Sequence, residues 1–364
     1  MKNKVRKVLY ISNIKVPYRV RFLNELAKEY DLTVLYERKK SLNRNENWAS
    51  SEAINYHVDY LGGKPFKNEY GLSTRILSIV LKGWDAIIIG CYNSPSQILA
   101  MQLMRMRHIP YIINLDGEQF IGNGLKDKIK RVILHGASGY LVAGEKSGET
   151  LANALDLSED LAKVKITPYY FSSLSEQEIE VHSKERCIRN NKVLVIGQYF
   201  DYKGMDVAYE VAKRTPYISY KFIGMGNRTS LFLKERTGGG HKLSNVEIIP
   251  FLQKQELAEE YKQCGCLLLP SRQECWGLVV NEAASFGTPI VSTWGSGAAV
   301  EFLSDEYPQY LAKPDNSESL LNCLRLCLNS DNSQYSQYLM EKSKNYSIER
   351  SVDCHRKAIE MLTR

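Results

Sequence analysis

The sequence predicts an α/β protein of two doubly wound parallel-sheet domains facing across a cleft, and three observations carry that prediction. Short β-branched runs alternate with helix-period segments. The alternation stops at a polar stretch near the middle of the chain and then restarts. The length, 364 residues, suits two ordinary domains of this kind rather than one.

The first series of strand-like runs covers residues 8–12, 32–36, 86–90, 111–115 and 139–143. Strands separated by helical segments form βαβ units, so the sheet they build is parallel. Residues 173–191 turn polar and charged and hold no strand-like run, which marks a boundary. A second series follows at 192–197, 218–224, 246–250, 266–270 and 289–292. The expected division is an N-terminal domain at 1–172, a linker at 173–191 and a C-terminal domain at 192–346. A last helix at 347–364 is expected to cross back to the first domain. Rossmann-like sheets of this type hold ligands beyond the carboxyl ends of their strands, so the expected site lies in the cleft.

Hydrophobic residues at 44% and charged residues at 24% are those of an ordinary globular protein. The longest apolar runs, 86–91 and 266–269, fall far short of the roughly 20 residues a spanning helix needs. The opening MKNKVRKVLYISN reads as a basic segment running into a first strand rather than a secretory leader, so a cytoplasmic protein is expected. The eight cysteines show no CxxC spacing and read as buried thiols rather than metal ligands. The net charge is +7, and residues 1–44 hold twelve Lys or Arg against four Asp or Glu. Without a nucleic-acid-binding motif beside it, this excess points to a membrane surface or a lipid diphosphate.

The densest chemical signal is the segment from Pro270 to Pro289, PSRQECWGLVVNEAASFGTP. It reads as strand end, loop, helix and stop, with Gly287 and Pro289 closing the helix. A helix start near Trp276 or Gly277 presents unpaired N–H groups and a positive dipole end, which suits phosphate. Cys275, Trp276, Gly277 and Leu278 are therefore expected beside a bound phosphate. Glu282, about two turns in, can receive two vicinal hydroxyls, and Glu274 on the loop can hold sugar hydroxyls.

This Glu-x7-Glu segment with its flanking Gly and Pro resembles the signature of the family-4 (group 1) retaining glycosyltransferases, which have the GT-B fold. The resemblance spans most of residues 190–305. It implies that Glu274 contacts the donor sugar and Glu282 the nucleotide ribose. The stretch from Val195 to Gly204, VIGQYFDYKG, resembles the family's strand-GR-xxx-KG segment and places Lys203 on the donor diphosphate. The family's Arg is Gln198 here, which leaves the cationic clamp one charge short, and Arg19, Arg21 or Arg272 is expected to substitute. Gly224 and Gly226 resemble the family's G-x-G turn, and Gly295 and Gly297 its glycine loop.

Residues 12–22 resemble the polysaccharide-building members of the family, which suggests that Tyr18, Arg19 and Arg21 meet an anionic acceptor or phosphate. Asp116 and Glu118 follow the strand at 111–115, where many relatives carry a His-Asp pair. The His position is Leu115, so the two acids become candidates for activating or positioning the acceptor.

The resemblance thus implies a hexosyltransferase that works with retention through an oxocarbenium-like state. Neither metal nor cofactor is expected. The substrates are a nucleotide sugar, with UDP favoured and GDP second, and a saccharide or lipid-linked acceptor in capsule or exopolysaccharide synthesis. Two other readings are a nucleotide-sugar epimerase of the same fold and a non-catalytic binding subunit, the latter suggested by Gln198 and Leu115. Peripheral attachment to the inner face of the cell membrane is expected through the basic N-terminal helix and residues 126–135.

Overall fold

A computed structural model of the chain describes residues 5–39, 53–66, 70–117, 124–185, 187–238 and 240–363. It forms two compact units, Met1–Ser173 with Ile348–Arg364, and Leu174–Ser347.

Strands of the first unit are β1 (Lys7–Ser12), β2 (Asp31–Tyr36), β3 (His57–Tyr60), β4 (Lys64–Phe66), β5 (Tyr70–Leu72), β6 (Ala86–Ile89), β7 (Ile112–Leu115), β8 (Gly139–Ala143) and β9 (Ile166–Tyr169). Seven make one parallel sheet in the order β3-β2-β1-β6-β7-β8-β9, and β4 and β5 form a separate antiparallel hairpin. β6, AIII, and β7, IINL, are buried along their whole length. Strands covered on both faces must be apolar without alternation, and that is what made them legible. β3 and β9 have no such run; each lies at an edge of the sheet, where burial makes weaker demands on the sequence.

The second unit contains β10 (Lys192–Ile196), β11 (Ser219–Ile223), β12 (Val246–Ile249), β13 (Cys266–Leu269), β14 (Ile290–Thr293) and β15 (Leu311–Ala312). They pair in parallel in the order β12-β11-β10-β13-β14-β15. In each sheet the strand order reverses once, between β1 and β6 in the first and between β10 and β13 in the second. Loops leaving the carboxyl ends of such a strand pair diverge to opposite faces and open a crevice.

The expected linker at 173–191 begins at the boundary between the two units and contains a helix. Glu176–Lys184 is a helix with a capping box, in which Ser175 accepts from the Glu178 N–H and the Glu178 carboxylate accepts from the Ser175 N–H. The helix Ile348–Leu362 belongs to the first unit, where it packs on the helix Pro17–Leu26 and on β8 and β9. Its buried face, Ile348, Val352, His355 and Ile359, has helical spacing. All eight cysteines are free thiols, and Cys264, Cys266, Cys327 and Cys354 are buried. No helix among the described residues is long and apolar enough to cross a membrane.

Candidate active site

In the second unit the polypeptide leaves β13 at Pro270 and re-enters regular structure as the helix Leu278–Ser285. Gly277 caps it with φ 108° and ψ 72°, a conformation that a side chain would strain. The loop between is held on its far side by residues 295–298. The Glu274 N–H donates to the Gly295 carbonyl at 2.8 Å, the Gly297 N–H to the Glu274 carbonyl at 3.1 Å, and the Ala298 N–H to the Trp276 carbonyl at 2.9 Å. A Cβ on Gly297 would lie 2.1 Å from the Cys275 carbonyl oxygen, and one on Gly295 2.4 Å from that of Arg272. These two glycines therefore serve the packing of the loop itself.

The loop aims Glu274 at Lys203. The two side chains form an ion pair through Oε1 and Nζ, with only 12% and 19% of their surfaces exposed, while Ser271 donates to Oε2 at 2.8 Å. Lys203 ends a single 3₁₀ turn after β10, Asp201–Lys203, and Gly204 follows with φ 66°. A Cβ at Gly204 would sit 2.0 Å from the Pro270 carbonyl oxygen, so only glycine lets the two loops meet. The pair stands at the β10/β13 switch point, where a doubly wound sheet opens its ligand site.

Glu282 lies in the second turn of the helix and accepts a hydrogen bond from the buried Tyr261 hydroxyl at 3.0 Å on Oε2. Burial, and then the neighbouring Glu282 charge, push the Tyr261 hydroxyl well above its ordinary pKa, so it stays a donor. Oε2 thus already accepts one hydrogen bond inside the protein. Behind the helix, His182 stacks on Phe286 with ring centroids 3.9 Å apart and bonds Ser285 at 2.8 Å.

The remaining expected donor residues divide by depth. Cys275 is exposed and Leu278 half-buried. The Trp276 indole is buried and donates to Asn281 at 2.9 Å, so its side chain does not face the surface of the loop. Gly224 and Gly226 have positive φ, but their N–H groups already donate to Ile249 at 3.1 Å and Pro250 at 3.0 Å. They shape the turn and offer no free amides. Gln198 is half-buried on the loop after β10. Arg272 does not replace its missing charge, because the guanidinium grips Asp206 at 2.7 and 2.9 Å and Asp315 at 2.8 Å.

The first unit also corrects the sequence reading. Arg19 was expected to face a phosphate, yet it is 6% exposed and ion-paired with Asp116. It also donates to the Tyr10 hydroxyl at 3.2 Å. Arg21 donates to the Ser173 carbonyl at 2.7 Å, and the Tyr18 ring packs edge-on against Phe171 at 5.6 Å. The resemblance singled out these residues but did not say how deep each side chain lies. Asp116 has partners on both oxygens, Arg19 on Oδ2 and the Tyr169 hydroxyl on Oδ1 at 2.7 Å. Glu118 lies outside the described residues.

Behind this pair, Tyr10 bonds Asn114, and His355 from the last helix approaches the same Asn114 oxygen at 3.5 Å. Complete burial pulls His355 down from 6.5 to about 3, so it is neutral. No motif announced Tyr10, Asn114, Tyr169, Tyr261 or His355. Folding brings Tyr261 to Glu282 in the second unit and Tyr10, Asn114, Tyr169 and His355 together in the first, where His355 is 241 residues from Asn114.

Comparison with known proteins adds to this geometry. Residues 178–346 match the family model described as glycosyl transferases group 1. An uncharacterized glycosyltransferase of Haemophilus influenzae is 28% identical over 172 residues, covering 46% of this chain and 48% of that one. An uncharacterized 41.2 kDa protein in the cps region of Klebsiella pneumoniae is 27% identical over 146 residues, 38% of each chain. The chain thus spans about half the length, or less, of the curated relatives it matches. Among solved structures, Anabaena HepE in complex with UDP superposes with a TM-score of 0.70 at 15% identity, over 98% of this chain and 99% of that one. The fold is GT-B.

Proposed function

We propose that this protein is a retaining, metal-independent glycosyltransferase that moves a hexosyl group from a nucleotide sugar to a saccharide or lipid-diphosphate-linked acceptor. The Lys203–Glu274 pair carries the reading. Without a ligand the two charges neutralise each other. A diphosphate arriving at the switch point competes for Lys203 and leaves Glu274 to accept sugar hydroxyls. Each bond to a charged group contributes roughly 1.5–3 kcal/mol, enough to exchange one partner for another.

In the proposed reaction the bond from the anomeric carbon to the diphosphate oxygen breaks as Lys203 stabilises the departing charge. The acceptor attacks from the same face, and its proton passes to the leaving phosphate. Glu282, oriented by Tyr261, binds the ribose. Asp116 has both oxygens engaged, so its part is to position the acceptor rather than to take its proton. A UDP-sugar is the first choice of donor and a GDP-sugar the second; HepE, solved with UDP, supports that order. The similarity to a protein in a cps region supports a role in cell-surface polysaccharide synthesis.

The same reading includes peripheral attachment to an anionic bilayer at the inner face of the cell membrane, now through the helix Leu125–Leu134 alone. Leu125, Ile129 and Val132 recur on one stripe, are 75%, 51% and 66% exposed, and lie between Lys126 and Lys128. An exposed apolar stripe flanked by lysines suits a headgroup boundary. The helix Pro17–Leu26 drops out of this proposal, because its Arg19 is buried in an ion pair.

The experiment is thermal stabilisation by UDP, GDP and ADP and their common sugar conjugates, on the wild type and on Glu282→Ala. A selective shift that is lost in the variant is expected. No shift from any nucleotide would overturn the donor site.

A further inference from the structure

The geometry points to Arg228 as the second cation of the donor-diphosphate subsite, in the place that Gln198 leaves empty of charge. This rests on the function proposed above, with a nucleoside diphosphate as the ligand class.

The inventory of cations around the carboxyl ends of β10, β11 and β13 carries the inference. Lys203 faces Glu274. Arg272 faces Asp206 and Asp315. Arg228 is different, for no carboxylate among the described residues lies within ion-pair distance of it. Its guanidinium lies 4.1 Å above the centre of the Phe200 ring, and one nitrogen donates to the Tyr199 carbonyl at 3.2 Å. An aromatic face and a carbonyl oxygen orient a guanidinium without neutralising it. Five N–H donors less one leaves most of the fork for an anion.

Its position follows from the sheet. β10 and β11 are neighbours, and the Gly197 N–H continues their ladder to the Ile223 carbonyl at 2.9 Å. A Cβ on Gly224 would sit 3.4 Å from the Gly197 carbonyl oxygen, so the two strand-end loops touch. Arg228 closes the 3₁₀ turn Gly226–Arg228 and reaches back over residues 199 and 200, which directly follow Gln198. The Phe200 ring stacks in turn on Tyr202 at 5.6 Å and 13°, and the Lys203 ammonium lies 5.7 Å from the Tyr202 ring centre. One aromatic pair therefore carries a cation at each end of the loop that held the expected clamp.

The test is calorimetric binding of UDP, GDP and ADP, with uridine, guanosine and adenosine beside them, to the wild type, Arg228→Ala, Arg228→Lys and the double variant Arg228→Ala with Gln198→Arg. For the tightest of the three diphosphates, Arg228→Ala is expected to weaken binding about ten-fold or more. The matching nucleoside should bind unchanged, Arg228→Lys should recover part of the loss, and Gln198→Arg should restore most of it. A merely structural role for Arg228 would weaken nucleoside and diphosphate alike, and that result overturns the inference. So does diphosphate binding within two-fold of wild type in Arg228→Ala while Lys203→Ala abolishes it, an outcome that leaves the proposed function standing. Absence of diphosphate binding by the wild type overturns both.

Discussion

Lys203 and Glu274 are ion-paired across the switch point of the second sheet, from loops that follow β10 and β13 and that meet where Gly204 abuts the Pro270 carbonyl. The pair couples two segments 71 residues apart into one site. Its members are predicted to fail differently. Lys203→Ala should lower sugar transfer about 100-fold or more, the scale on which a charge-stabilising donor acts. Glu274→Gln keeps the shape and should raise KM for the sugar nucleotide more than for the bare nucleotide. A coupled assay of diphosphate release measures both, and a Lys203→Ala rate within three-fold of wild type would remove Lys203 from the reaction.

Tyr261 is predicted to act only through Glu282. Tyr261→Phe deletes one hydrogen bond from a buried ring and should weaken nucleotide binding about 3- to 10-fold, with kcat nearly unchanged. Loss of kcat at unchanged affinity would refute a positioning role at the ribose.

Arg19 and Asp116 form a largely buried pair, and breaking one is costly because the other is left alone. Asp116→Asn leaves the Arg19 guanidinium without its counter-charge at 6% exposure, and a loss of about 3 kcal/mol is expected. Arg19→Met combined with Asp116→Leu should be less destabilising than the sum of the single changes. Additive losses in thermal unfolding would show that the two are not coupled.

His355 makes stability depend on pH with a determined sign. Its pKa is lowered from 6.5 to about 3 by burial, so between those values the unfolded chain binds a proton that the folded chain does not. Stability from this group is therefore full above pH 6.5 and is lost progressively as pH falls toward 3, by at most about 1.4 kcal/mol per unit. His355→Gln should flatten the acid limb of the stability profile, and an unchanged slope would mean that other groups govern it.

Replacing Leu125, Ile129 and Val132 with Ser is expected to abolish pelleting with phosphatidylglycerol vesicles at low salt, while neutral vesicles bind neither form. All three side chains are exposed, so stability should hardly change. Equal pelleting by the variant would exclude this stripe as the anchor.

Much of the fold was legible because parallel strands buried on both faces must be apolar throughout, and because the chain repeats the pattern on either side of residue 173. The Glu274–Glu282 segment was legible for a local reason: strand end, loop, glycine cap and helix follow one another within 20 residues. The edge strands β3 and β9 were not, since half-covered strands carry a diluted signal. Nor was the helix Glu176–Lys184 read, although its Ser175–Glu178 capping box was on the page.

What the sequence determined alone was therefore the two sheets, their order along the chain and the identity of the local motif. Only the tertiary structure decided which charges remain available. Arg19, Arg21 and Arg272 look alike as letters, yet burial and long-range partners engage all three, with Asp116, Ser173 and Asp206, while Arg228 meets no carboxylate among the described residues. Charge is a property of a residue type, but whether it is neutralised depends on which distant chain segments the fold brings within a few ångströms. Periodicity carries no information about those meetings.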